Sequence, residues 1–513
     1  MKLRRRKLVI AAGIVFVLFA ALAYAFHFRV KWAVAHYKRQ LLSAGEKLSV
    51  IELILPRSAA DLEMARVLLS AISNSAPETG ALYTNWPSPM RLVAPGKAMV
   101  RWKQSEIRSE SGTNVWSELD GDLVSKRGAL AELRRISDHP ALDFGIEYGQ
   151  DFDQLKFLHL ARFKSSAQWL SSSATAALHR NDPASAVTDV RAMLAIVKGT
   201  GQERFVISQL VRIAVAHIAF NATWELLQSP GLTEEQLAPL QEDWTAMDFV
   251  GAAEDALLME RATGQLTLAV WRKSPERVQR YVSFWADSSG AQTEQSRWDR
   301  IKTGGGLLAW RLTWSYSDEL RELKGEQILL EAIRQVRTNY SFHTALAEQE
   351  TRLIALFKLP APASDGQTLQ GMFNPTLPTI LSQSALSLST YLKRIMVVET
   401  ARQLAVTAIS LKRYQLRHGN YPSDLGALVP EFLQSVPRDP ADGQPIRYRL
   451  NADGTFVLYS IGPDGVDDHG DPAPPASAPG SGSWQRGRDL VWPEAASESE
   501  IETFERRFAS EKN

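Results

Sequence analysis

The chain has 513 residues, 45% hydrophobic and 22% charged, enough apolar material for two or three domains with cores of their own. A net charge of +1 argues against a nucleic-acid partner, which would need a basic face or stripe. The absence of cysteine excludes a disulfide framework, a thiolate zinc site and a cysteine nucleophile together.

Residues 1–7 carry Lys2, Arg4, Arg5, Arg6 and Lys7, and the segment 8–26 that follows has no charge. At about 1.5 Å per helical residue this segment spans a bilayer core. The basic flank keeps the N-terminus in the cytoplasm. The expectation is one transmembrane anchor at 8–26 in the inner (cytoplasmic) membrane, with the rest of the chain outside the cytoplasm. A cleaved signal peptide ending at Ala23-Tyr24-Ala25 is the alternative. Both readings export everything that follows.

Residues 27–359 read as an extracytoplasmic α-helical region. One or two amphipathic helices are expected over 45–75, broken at Pro56. From 77 to 107 the texture turns extended, with two short strands and with Trp86 and Trp102 as aromatic tips. Those tryptophans read either as grips for glycan or peptide or as packing under a loop. Helical periodicity returns at 114–136 and dominates to 358.

Residues 163–180, the turn Asn181-Asp182-Pro183, and residues 184–198 predict a helical hairpin that resembles a single tetratricopeptide-type unit. No second copy stands at a fixed period, so an irregular stack of hairpins is expected. The segment 205–227 is apolar almost all round and reads as a second span or as a central core helix. Arg212 in its middle favours the core, where a carboxylate such as Glu254 or Glu260 would pair with it. Further helices are expected over 233–263, 266–286, 318–337 and 340–358.

Residues 360–378 hold four prolines and two glycines and read as a linker. From 379 to 418 a single amphipathic helix is expected, with Leu392, Ile395, Val398, Leu404, Leu411 and Tyr414 on its apolar face, closed by Gly419. After it come Tyr421-Pro422, then Pro437-Arg438-Asp439-Pro440, then Gly443-Gln444-Pro445 and Tyr448. Leu458-Tyr459-Ser460-Ile461-Gly462-Pro463-Asp464-Gly465 and Asp489-Leu490-Val491-Trp492 complete the stretch. This pattern resembles the globular domain of the G-type major pseudopilins of type II secretion systems. The resemblance implies a long helix carrying a small antiparallel sheet over 379–493, and secretion-system or other envelope proteins as partners. The segment 8–26 does not open with the family's Phe-Thr-Leu-x-Glu pattern, so the resemblance concerns the C-terminal part alone.

Asp464, Asp467, Asp468 and Asp471 crowd one loop, and Asp489 returns after an Ala/Pro/Gly/Ser-rich insertion over 472–488. Calcium takes six to eight oxygens from such loops. The resemblance implies a structural calcium site using Asp464, Asp489 and the 458–460 turn with Ser460, and Asp467, Asp468 and Asp471 are further candidates. The same residues also read as ordinary turn formers on a solvated loop. The charged tail 494–513 is expected to be a frayed helix or unstructured.

The nine histidines are scattered, and no His-Glu-x-x-His, nucleophile elbow, phosphate loop or dinucleotide fingerprint occurs. No catalytic residue or organic cofactor is assigned. The expected fold is mainly α: a membrane-anchored, irregular helical-hairpin region followed by a small α+β pseudopilin-like domain. The expected role is interaction or assembly in the envelope. The alternatives are a hydrolase-type envelope enzyme with its active site in the helical region, or a glycan- or peptide-binding protein.

Overall fold

The computed structural model describes residues 2–73, 90–109, 112–135, 137, 142–152, 154–157, 159–274, 276–278, 308, 310–359, 382–474, 485 and 487–511. Helix accounts for 67% of the structure and strand for 5%, so the fold is mainly α, with small sheets near the C-terminus.

Helix α1 (Lys2–Ser43) is much longer than its apolar run. Its first half is bare: Ile10, Ile14, Val17, Leu18 and Leu22 are 56–70% exposed. Its second half is packed, with Val34 and Leu41 buried against Leu323. A short helical turn at Val50–Glu52 and α2 (Ala59–Ser73) follow, separated around Pro56 as expected.

Two short antiparallel pairs come next, β1 (Leu92–Ala94) with β2 (Lys97–Ala98) and β3 (Ile107–Ser109) with β4 (Gly112–Asn114). Trp102, between them, is 8% exposed and its indole donates to the Glu225 carbonyl at 3.2 Å. It therefore packs under the loop and presents no face to a glycan. Trp86 lies outside the described residues.

Helices α3 (Trp116–Ser125) and α4 (Arg127–Arg135) lead to the predicted hairpin, α5 (Leu160–His179) and α6 (Pro183–Gly199). Its turn is explained locally. Asn181 takes a left-handed φ of 58°, Asp182 caps α6 by accepting from Ser185 N at 3.1 Å, and Pro183 opens the helix. Buried Ala167, Ala174, Ala177 and Ala186 let the two helices approach closely.

Helix α7 (Val206–Leu227) is long and apolar enough to cross a membrane, yet 61% of its apolar window is buried inside the protein. It packs against α5 and α6 and is a core helix. Arg212 does not pair with Glu254 or Glu260. Its guanidinium donates to the Val197 and Asp248 carbonyls at 2.8 and 3.0 Å and to Gln209 Oε1 at 3.2 Å, and lies 4.5 Å from the Phe249 ring centroid. The carbonyl of Val197, near the end of α6, satisfies this cation without a second buried charge. Burial pulls Arg212 down to about 10. Glu254 instead binds Arg334 and Arg337 at 2.7 and 2.6 Å, and Glu260 accepts from Val206 N at 3.0 Å.

The helices expected over 233–263 and 266–286 are divided elsewhere, into α8 (Glu234–Thr245) and α9 (Phe249–Lys273). Asp248 makes the break by capping α9 through Gly251 N at 2.7 Å, and Gly264 continues the helix. Residues 279–286 lie outside the described residues. After a π-helical turn at Trp310–Trp314 come α10 (Ser315–Asn339) and α11 (Phe342–Phe357), close to expectation. The linker at 360–378 also lies outside them.

Helix α12 (Ser382–His418) ends at Gly419, which has a left-handed φ of 84° and returns its N–H to Gln415 O. It is packed by α7, α8, α9, α10 and α11. One apolar cluster runs from Leu68 to Trp492, so α12 and the C-terminal strands share a core with the hairpins.

Strands β5 (Arg447–Leu450), β6 (Phe456–Ser460) and β7 (Leu490–Val491) form an antiparallel sheet with Tyr448 opposite Leu458 and Ser460 opposite Leu490. The tail is more ordered than expected. Strand β8 (Glu494–Ala495) pairs in parallel with β2, and α13 (Glu498–Glu511) follows. Glu494 N and Ala496 N donate to the Gly96 and Ala98 carbonyls at 2.9 and 2.7 Å, and Lys97 binds the Glu494 carboxylate.

Candidate functional site

The most specific polar construction in the C-terminal part is centred on Asp439, a residue with no exposed surface. Its Oδ1 accepts from Ala441 N at 2.9 Å and Ser460 Oγ at 2.6 Å. Its Oδ2 accepts from Ile461 N at 3.0 Å and Arg447 Nη1 at 2.8 Å. The backbone around it closes in the same way, with Asp439 N donating to Gln444 O and Gly443 N to Asp439 O, both at 2.7 Å.

This bracket holds the α10–α11 corner. Phe342 N and His343 N donate to the Pro440 and Ala441 carbonyls at 2.9 Å, and Arg438 Nη2 donates to Asn339 O at 3.1 Å. Gly443 must be glycine here. Its φ is 77°, and a Cβ would stand 3.0 and 3.1 Å from the Asn339 and Tyr340 carbonyl oxygens.

Ser460, a predicted metal ligand, is thus committed to Asp439. Asp489 is also completely buried, and takes N–H bonds from Gly470 at 2.7 Å, Asp471 at 3.2 Å and Asp468 at 3.5 Å. Burial raises its carboxyl above the ordinary range against the pull of those donors. Asp467 accepts from His469 N at 2.9 Å and Tyr459 OH at 3.1 Å. Asp464 accepts from Val466 N at 3.1 Å, and Asp471 accepts from Ala473 N at 2.9 Å and Arg488 at 3.2 Å. Asp468 contributes its own N–H to Asp489.

In the structure these carboxylates accept from the loop's own backbone N–H groups. Asp489, the one fully buried carboxylate among them, holds N–H groups on both oxygens. Among the described residues no group of three or more acidic or histidine side chains is placed to hold a metal ion. Asp464, Asp467 and Asp471 each cap a turn, with Gly465 and Gly470 at φ of 72° and 84° allowing the chain to fold back onto them. If turn capping is the whole role of these carboxylates, added millimolar calcium or a chelator leaves the thermal midpoint of the full chain unchanged, while Asp489→Ala lowers it by several degrees. A calcium-dependent rise that Asp464→Ala abolishes would overturn this assignment.

Among the described residues, two of the concavities lie outside that loop. An open cleft of about 810 Å³ runs between α8, α12 and the 430–438 segment. The arginines on its wall are engaged: Arg413 binds Glu234 at 3.0 Å and Gln241 at 2.9 Å, and Arg402 Nε binds Glu399 at 3.0 Å. Tyr340, also on the wall, donates to Glu399 at 2.6 Å.

In the helical region, Arg57, Asp143, Tyr148, Glu203 and Arg204 line a polar cavity of about 50 Å³. Glu203 faces His159 at 2.6 Å, beneath the stacked ring of Phe144. The cavity is far below the roughly 300–1,000 Å³ of a ligand site and holds no more than a few waters.

No family model matches the chain. No curated protein and no solved structure matches it either.

The residues that sequence reasoning missed are Asp439 and Arg447. Their signal was the Pro437-Arg438-Asp439-Pro440 run and Gly443, which mark a tight bracket but not what it grips.

Proposed function

We propose that this protein is a membrane-anchored assembly protein of the cell envelope, held in the inner membrane by residues 8–26 of α1. Its helical body and its pseudopilin-like C-terminal part stand outside the cytoplasm, where they present one continuous surface to secretion-system or other envelope proteins. The observation that carries the reading is the division of α1. Its first half exposes large aliphatic side chains along its length, and its second half is packed against α10 without a break in the helix. In water such a helix would leave a large apolar surface uncovered, whereas a bilayer covers it and needs no loop between anchor and body. Lys2, Arg4, Arg5, Arg6 and Lys7 favour the cytoplasm for the N-terminus. The pseudopilin part of the proposal rests on the quoted motifs and on the small antiparallel sheet beside the C-terminal end of α12.

The test is fractionation of the full chain with intact-mass measurement. The protein is expected in the membrane pellet after an alkaline wash, at a mass that includes residues 2–26. Replacing Ile14 and Leu18 together by lysine is expected to release it, since each charge near mid-span costs about 2.5–3.5 kcal/mol. A washed-off wild type, or a mature chain that begins after Ala25, would end the reading.

A further inference from the structure

We infer that the body of the protein rests directly on the bilayer, with Leu308 and Leu312 entering the lipid beside α1; this rests on the anchoring proposed above. The register between α1 and α10 places them there. The His27 ring lies 5.0 Å from Tyr316, and Lys31 Nζ lies 5.8 Å from the same ring. Further along, Lys38 pairs with Glu319, Val34 and Leu41 pack on Leu323, and Glu46 accepts from Gln327 at 3.1 Å. Residue numbers rise together on both helices, so they run parallel. The chain just before Tyr316 therefore extends back along α1 toward its bare half.

Leu312, four residues earlier, sits up to about 6 Å nearer the membrane than Tyr316, which puts it near the level of Tyr24. Leu308 precedes it by four more. Their side chains are 58% and 54% exposed. The turn cannot swing them inward, because its inner side is occupied by Trp310. That tryptophan is buried with Leu268, Trp271 and Val278, and its indole donates to Asp318 Oδ2 at 2.7 Å.

From that level toward the body α1 exposes Tyr24, Phe26, Phe28 and Trp32, with Lys31 5.9 Å from the Phe28 ring. Aromatic rings below cations make up the composition of a membrane–water interface. Single exposed leucines are ordinary on a soluble protein, but these two continue the apolar surface of an adjoining helix. That continuity favours lipid over a second copy of the chain as the occupant.

The chain contains no cysteine, so single-cysteine variants can carry one fluorophore without background. The full chain would be reconstituted in phosphatidylcholine/phosphatidylglycerol vesicles containing nitroxide lipids, shallow in one set and deep in another. Ile14→Cys reports the anchor, Leu312→Cys and Leu308→Cys report the inferred contact, and Val466→Cys, on the C-terminal loop, reports water. Shallow nitroxide is expected to reduce the Leu312→Cys emission severalfold more than that of Val466→Cys, and deep nitroxide to quench Ile14→Cys. Quenching at Ile14→Cys with Leu312→Cys and Leu308→Cys indistinguishable from Val466→Cys would overturn the inference and leave the anchor standing. Protection of Leu312→Cys from both lipid and aqueous quenchers would show protein covering it and overturn the inference too. An unquenched Ile14→Cys would remove the anchor itself.

Discussion

Replacing Asp439 by alanine is expected to lower the stability of the folded chain by about 3–5 kcal/mol, the range for removing one partner of a buried ion pair. The loss has three parts. Arg447 Nη1 loses its buried acceptor, Ser460 Oγ and two backbone N–H groups are left facing a void, and the bracket loosens its hold on the α10–α11 corner. Buried donors left unsatisfied cost more than the net worth of the bonds they made, so the penalty exceeds a sum of ordinary hydrogen bonds. Asp442 supplies the control. It also binds Arg447, at 2.6 and 3.0 Å, but lies in partial contact with solvent. Its replacement by alanine is expected to cost about 1 kcal/mol or less. Urea midpoints of the purified chain in detergent would measure both. Equal shifts for Asp439→Ala and Asp442→Ala would sink the claim that the buried carboxylate organises this region.

A second large effect is expected from pH. Glu326 on α10 and Glu225 on α7 are each 3% exposed. Burial pushes the Glu225 carboxyl up to about 7, against the nearby charge of Arg101 and that residue's backbone N–H, at 3.2 Å. Burial raises Glu326 strongly as well, opposed by Arg261 and reinforced by Glu260. Arg261 does not neutralise Glu326 directly, because its donors reach Glu46 and Gln327, both at 2.7 Å.

A carboxyl whose folded pKa exceeds its unfolded value holds a proton that the unfolded chain releases. Its contribution is present in full below the unfolded pKa and is lost as pH rises through the folded one. The contribution of these two carboxyls is therefore expected to fall between about pH 4.5 and pH 8, by roughly 3 kcal/mol from Glu225 alone at about 1.4 kcal/mol per unit. His217, which burial lowers to about 4, opposes it below about pH 6.5. Glu326→Gln removes one of these protons from the balance. It is expected to flatten the slope and to gain stability at the alkaline end. Denaturation midpoints for wild type and Glu326→Gln across that range decide the matter, and parallel curves would mean that Glu326 is ionised in the folded chain.

What was legible from the sequence is what neighbouring residues decide among themselves. The α5–α6 turn follows from Asn181, Asp182 and Pro183, the end of α12 from Gly419, and the separation of the turn at Val50–Glu52 from α2 from Pro56. The apolar length of 8–26, the all-round apolar character of α7 and the 3.6-residue period of α12 are likewise local properties. Where a break depended on a subtler cap, as at Asp248, the expected division at 263–266 fell in the wrong place. Hydrophobic periodicity continues through Gly264 as well as through any other residue.

The tertiary structure decided where polar groups find their partners. In the acidic loop a sequence displays the density of carboxylates but not the N–H groups that fold back upon them. Ser460 turned to Asp439, twenty-one residues away along the chain, and Arg212 turned to carbonyls and not to the carboxylates with which charge alone would pair it. Trp102 found its acceptor on α7, and Lys97 met Glu494 across 397 residues. Burying α12 among five helices required all of them to arrive, and nothing in its own residues says which face each would cover. Periodicity and capping act over one or two turns of chain and so survive in the order of the residues. The choice of partner for a buried charge is a competition among groups brought together only by the finished packing.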